Sequence, residues 1–121
     1  MYKLTEYERE KIGNAEFSDH LEQLIDGLNV AKEKYLEVNE FNNLVGKNYD
    51  NFHVKKVSPK FIYLDYGGSG CFLVERKTGE LYNIKGYGVA DYNKHAKAPL
   101  GNVSTVDPLW LYAKRYNYLR G

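Results

Sequence analysis

Residues 52–85 hold four β-prone runs divided by tight turn signals, and no other part of the chain restricts the fold as strongly. Phe52 to Val57 alternates apolar and polar residues and Ser58-Pro59 breaks the run. Lys60 to Tyr66 then resumes it, until Gly67-Gly68-Ser69-Gly70 turns the chain. Cys71 to Arg76 and Glu80 to Lys85 flank Lys77-Thr78-Gly79, a three-residue loop in which Gly79 can take the left-handed conformation of a G1 bulge. Connections this short predict a four-stranded antiparallel meander.

Ahead of the strands, Leu21, Leu24, Ile25, Leu28, Ala31, Tyr35 and Val38 recur at three- and four-residue steps, the pattern of a helix with one apolar stripe. Ser18 is placed to cap it, with Asp19 and Glu22 at the positive end of the helix dipole. Gly27 weakens this helix by about 1 kcal/mol relative to alanine without erasing the pattern. A shorter helical turn over residues 5–12 is capped by Thr5 and ended by Gly13-Asn14, and residues 41–51 read as a turn-rich connector. Residues 86–106 carry Gly86, Gly88, Pro99 and Gly101 without a sustained period, which predicts a long ordered loop. Asp107-Pro108 then opens a second helix through Tyr116, as an N-cap followed by a proline suited to the first turn. The expected fold is therefore α+β in a single domain over residues 1–121: amphipathic helix, four-stranded meander, irregular loop, C-terminal helix.

A chain of 121 residues is long enough to build its own core, and its single cysteine, Cys71, cannot pair within the chain, which fits a reducing compartment. No apolar run has the length of a membrane span, and the N-terminus is too acidic and polar for a signal peptide, so the chain reads as soluble and cytoplasmic. The net charge of +1 hides a gradient. Residues 1–51 hold six Lys/Arg against eleven Asp/Glu, net −5; residues 52–84 are net +2; residues 85–121 hold six against two, net +4. Eight of the twelve tyrosines share the basic portion, so cationic and aromatic groups coincide there.

The pattern Cys71-Phe72, Lys77-Thr78-Gly79-Glu80, Tyr82, Lys85-Gly86-Tyr87-Gly88 and Gly101-Asn102-Val103 resembles small uncharacterised bacteriophage proteins with a similar hairpin and glycine-rich tail. The resemblance covers residues 65–107 and brings no catalytic residues with it. It implies a phage or mobile-element origin, where small one-domain proteins bind and obstruct a host machine; inhibitors of CRISPR nucleases belong to that class.

Three groups of residues invite a functional reading, each beside a plainer one. Lys85-Gly86-Tyr87-Gly88 can offer successive backbone amides to an anion, or its glycines simply let the chain turn. Lys94, His95 and Lys97 with Tyr112, Lys114, Arg115, Tyr116, Tyr118 and Arg120 can form a basic aromatic surface for nucleic acid, but Leu109, Tyr112, Ala113 and Tyr116 have core-facing helical spacing. Asp19, Glu22, Asp26, Glu33, Glu37 and Glu40 can imitate a phosphate backbone, although Lys32 and Lys34 are interspersed, or they form a solvated helix face. Catalysis is not expected: His20, His53 and His95 are scattered, Cys71 lies in an apolar strand, and neither a metal nor a cofactor motif is present.

The expected function is a non-enzymatic, phage-type binding protein that occupies a host protein or nucleoprotein complex through Lys85, Tyr87, Lys94, Lys97, Lys114, Arg115 and Arg120. The alternatives are direct DNA or RNA binding through the same basic tyrosine-rich surface, or a virion or homo-oligomeric subunit pairing through open strand edges.

Overall fold

The computed structural model describes residues 1–38, 51–86, 89–90 and 100–115. Helix α1 (Glu6–Ile12) is short but closed at both ends by its own residues. The Glu8 amide donates to Thr5 Oγ1 at 3.1 Å and the Thr5 amide donates to the Glu8 carboxylate at 2.9 Å, a reciprocal capping box. Gly13 ends the helix in the left-handed region, at φ 71°, where a Cβ would be strained. Helix α2 (Ala15–Val38) begins earlier than Ser18. Its cap is Asn14, whose side chain accepts from the Phe17 amide at 3.0 Å, because the reversal at Gly13 delivers Asn14 directly to the unpaired amides of the new helix. Ser18 lies one turn inside and is buried.

Six strands follow among the described residues: β1 (Phe52–Val57), β2 (Phe61–Tyr66), β3 (Ser69–Glu75), β4 (Glu80–Gly86), β5 (Val89–Ala90) and β6 (Gly101–Asn102). They pair antiparallel in the order β1-β2-β3-β4-β5, and β6 lies beside the first residues of β4. The meander is thus longer than the expected four strands. The additions are two residues each, too short to carry an alternation signal, and they fall in the segment expected to be irregular. Gly79 has φ 80°, as the hairpin loop requires. Asp107 caps α3 (Pro108–Arg115), its carboxylate accepting from the Leu109 amide at 3.0 Å.

The helices cover one face of the sheet. Phe52, Ile62, Leu64, Phe72, Val74 and Leu81 from the strands meet Leu21, Ile25 and Leu28 of α2 and Leu111 and Tyr112 of α3 in one core. Each such side chain contributes about 1.5–3 kcal/mol by leaving water. Arg76, just beyond β3, locks α1 to this layer. Its guanidinium donates to the Lys11 carbonyl at 2.7 Å, the Ile12 carbonyl at 3.3 Å and the Ser58 carbonyl at 2.9 Å, placing a cation on the negative end of α1. Lys32 corrects the sequence reading. It is fully buried rather than a surface charge, because it stands four residues after Leu28 on the apolar stripe, and its Nζ donates to Asn51 Oδ1 at 2.6 Å.

The edge at β1 is not open. Asn29 accepts from the Phe52 amide at 2.7 Å and donates to the Phe52 carbonyl at 3.2 Å, the Val54 amide donates to the Tyr2 hydroxyl at 3.0 Å, and Lys11 Nζ donates to the Val57 carbonyl at 3.1 Å. Side chains of the helical layer and of the N-terminal segment therefore occupy hydrogen-bonding groups that another strand would need. Burial, partly offset by the Val54 hydrogen bond and reinforced by the charges of Glu8 and Glu22, raises the Tyr2 phenol above its ordinary 10.0. A folded-state value above the unfolded one means the neutral phenol is favoured by folding. Its contribution is intact below pH 10.0 and is lost as the pH climbs through the folded value. Denaturant titrations at stepped alkaline pH should show stability falling in that window, and Tyr2→Phe should flatten the fall. Identical slopes for the two proteins would refute this role of Tyr2.

Candidate functional site

Of the residues expected to form the site, Lys114 and Arg115 are placed at the C-terminal end of α3. Lys114 is half-buried and Arg115 exposed, each already has an interaction partner, and both belong to the helical layer because α3 packs on α2. Lys85 lies on β4, but its side chain, like Tyr87, Lys94, Lys97 and Arg120, lies outside the described residues, as do His95, Tyr116 and Tyr118. Tyr112 is a core residue, 4% exposed, in keeping with the helical spacing of Leu109, Tyr112 and Ala113. The acidic helix is only partly a solvated face. Asp19 and Glu33 are exposed, but Glu22 is buried, where it accepts from the Leu4 amide at 2.8 Å and pairs with Arg9 at 2.8 Å. Hydrogen bonds to Asp19 and Glu22 raise the Arg9 guanidinium still further above its ordinary range.

The structure instead gathers chemistry on the face of the sheet opposite the helices. Between Val54 and Lys56 the register with β2 slips, so that Lys55 is an extra residue and two successive lysines are exposed on this side. A second slip, between Leu64 and Asp65, makes Cys71 the extra residue of β3, next to the pair of Asp65 and Gly70. A third leaves Lys85 as the extra residue between Ile84 and Gly86 of β4. Around these irregularities Lys55, Lys56, Tyr63, Asp65, Gly68, Gly70 and Ile84 line a cavity of about 560 Å³. Bulges are enriched next to active and binding sites because they re-aim side chains that a regular ladder would hold apart.

The groups in this cavity divide cleanly by chemistry. Lys56 Nζ stands 4.6 Å from the centroid of the Tyr63 ring, its cross-strand neighbour, so one cation of the rim lies over an aromatic face. Leu73 and Tyr82 continue the apolar surface behind Tyr63 and Ile84. Asp65 is 8% exposed, and its carboxylate has no hydrogen bond or ion pair with any described residue. His53 is its cross-strand partner, but the His53 ring turns away, with Nδ1 3.0 Å from the Asn51 carbonyl. A carbonyl only accepts, so that nitrogen carries the proton. Among the described residues no three His, Cys, Asp or Glu side chains are placed to hold a metal ion, and no helix is long and apolar enough to cross a membrane.

Sequence reasoning passed over this site, although one signal was legible. Val57 is apolar where strict alternation from Phe52 and Val54 would make Lys56 apolar, and that single-residue phase error is the mark of the bulge at Lys55. Comparison with protein-family models, with curated proteins and with solved structures finds no match to this chain.

Proposed function

We propose that this chain is a non-enzymatic binding protein that acts by occupying a nucleic-acid-handling complex of a host cell, as an anti-defence inhibitor of CRISPR nucleases does. The observation that supports binding is the lysine-rimmed aromatic cavity formed by Lys55, Lys56, Tyr63 and Asp65 on the uncovered side of the sheet. The helical layer on the other side presents exposed Glu6, Glu10, Glu16, Asp19 and Glu33 interspersed with exposed Lys3, Lys11, Lys34 and Arg115, so it carries mixed charge where the cavity rim carries adjacent lysines. The partner class rests on the resemblance of the 71–88 hairpin to small phage proteins. Expressed in cells whose CRISPR nuclease clears an incoming plasmid, the chain should restore plasmid survival and co-purify with a component of that nuclease. The double variant Lys55→Glu/Lys56→Glu should lose both effects. Undiminished clearance in cells holding abundant folded protein would defeat the anti-defence reading.

A second reading, direct contact with nucleic acid, is favoured by the same cavity, because cations over aromatic rings are the equipment of single-strand binders. Affinity for an oligonucleotide would fall steeply with salt. Charge reversal at Lys55 and Lys56 would weaken it more than reversal at Lys114 and Arg115, which lie on the helical layer. Self-assembly by strand addition at β1 has no comparable support, since Asn29, Tyr2 and Lys11 occupy that edge.

A further inference from the structure

We propose that the cavity between the β1 bulge and Ile84 binds a nucleotide, with the donor edge of its base on Asp65 and its phosphate on Lys55 and Lys56, and that guanine is the base it fits best. This inference rests on the nucleic-acid reading of the same site and names the unit recognised.

The argument begins with Asp65. A carboxylate can only accept hydrogen bonds, and one that is more than nine-tenths buried is costly to leave without donors. No described residue supplies a donor, and neither Lys55 nor Lys56 lies within ion-pair distance although both share the cavity. The Asp65 oxygens still touch solvent, so water serves them in the free protein, and a ligand that donates replaces that water in a site that is otherwise largely enclosed. The two exposed lysines on the rim, brought to one side by the bulge, favour a ligand that also carries negative charge. Tyr63 and Ile84 add apolar walls suited to a flat ring.

Ligand size and shape narrow the class further. Binding sites for small molecules and cofactors span roughly 300–1,000 Å³, and about 560 Å³ suits a nucleotide, whereas a free amino acid would carry both charges yet leave much of the space unfilled. The floor of the cavity is shaped by Gly70. A side chain there would begin 2.9 Å from Ile84 Cδ1 and 4.0 Å from Asp65 Oδ1, narrowing the approach to the carboxylate. At Gly68, by contrast, a Cβ would meet nothing within 4 Å.

Base identity follows from the acceptor-only character of Asp65. Guanine presents two adjacent N–H donors on its Watson–Crick edge, matching the two carboxylate oxygens. Adenine and cytosine set a ring acceptor beside their amino group, and uracil flanks its one N–H with two carbonyls, so each of these brings a lone pair against the carboxylate. Proteins that read single strands commonly recognise unstacked bases on that edge.

The test is calorimetric titration of the whole chain with GMP, AMP, CMP and UMP, alongside single-stranded oligonucleotides with and without a guanine, and amide NMR spectra to locate the contact. GMP or the guanine-containing strand should bind roughly tenfold or more tightly than its counterparts, and the isosteric Asp65→Asn should remove that preference. Lys55→Gln/Lys56→Gln should weaken GMP while leaving guanosine unchanged, and Gly70→Val should weaken every nucleotide. Tight binding of GMP alone would identify a free nucleotide as the ligand, and binding of the strand without GMP would identify a base held in a chain. Strand binding that is salt-sensitive but indifferent to base and to Asp65→Asn would overturn the pocket while leaving the nucleic-acid reading standing. An arginine-bearing peptide that moves the Asp65 and Tyr63 resonances when no nucleotide does would assign the cavity to a protein partner and overturn it. So would the absence of binding by any probe to protein whose spectrum is folded.

Discussion

Replacing Phe52 with alanine should cost about 3–5 kcal/mol, a large share of the 5–15 kcal/mol typical of a whole domain. Phe52 is fully buried, and its ring meets one aromatic from each of three other elements. The centroid of Tyr66 on β2 is 4.7 Å away, that of Tyr112 on α3 is 6.0 Å away edge-on, and that of Phe72 on β3 is 6.4 Å away and nearly parallel. Its main chain is gripped by Asn29 of α2 through both the amide and the carbonyl. One residue thus ties the first strand to both long layers, and the cavity left by removing the ring could not be filled without disturbing all of them. Urea denaturation should show a lowered midpoint with an unchanged slope. Phe52→Leu, which keeps most of the apolar volume, should fall clearly between. A loss within about 0.5 kcal/mol for the alanine variant, the usual range for a surface change, would mean that the aromatic junction is not where the core is fastened.

Phe52 also marks the limit of what the sequence reveals about this fold. Features set by contacts close along the chain were legible: the Thr5 cap, the Gly13 terminator, the Lys77-Thr78-Gly79 loop and the Asp107 cap all stand where local chemistry puts them. So was the apolar stripe of α2, since 3.6-residue periodicity needs no knowledge of the partner surface. Choosing between Asn14 and Ser18 as its cap required the path of the preceding helix, which neither residue type discloses. Lys32 was misread for a related reason. Charge alone suggests a surface position, but its phase on the stripe buries it and leaves Asn51 to receive its ammonium.

The candidate site was less legible than the fold because it depends on register. Asp65 and Gly70 face each other across the tight Gly67-Gly68 turn, the extra residue at Cys71 shifts the register beyond them, and only the extra residue at Lys55 brings both lysines to the same side as Tyr63. A regular ladder through the same residues would direct one of those lysines toward the core. Charge counting favoured the C-terminal portion, where six of the cations lie, but net charge over a segment says nothing about which side chains converge. Convergence across four strands is a property of the paired sheet, and three slips in that pairing create it here.

The C-terminal helix depends on an absence of side chain rather than on a contact made by one. Gly27, in the middle of α2, lies against the ring of Pro108 at the start of α3, and a Cβ at Gly27 would stand 2.5 Å from Pro108 Cγ and 2.7 Å from Pro108 Cβ. A proline ring cannot swing aside, so the close crossing of α2 and α3 exists because position 27 is bare. Two effects therefore oppose each other in Gly27→Ala. Helix propensity favours alanine by about 1 kcal/mol, while overpacking costs about 1–3 kcal/mol, so a small net loss is expected. In Gly27→Leu the propensity gain is similar but the collision is much larger. Helix α3 must move off, carrying the buried Leu111 and Tyr112 with it, and the loss should reach about 3 kcal/mol or more. Trp110 on α3 is already exposed, so the movement is read in the amide hydrogen exchange of Leu111, Tyr112 and Ala113, which should quicken in Gly27→Leu before global unfolding begins. Pro108→Ala in the same chain should recover part of the stability, a coupling expected only if the two residues touch. Native exchange protection in α3 and near-native stability in Gly27→Leu would show that the two helices do not cross at this glycine.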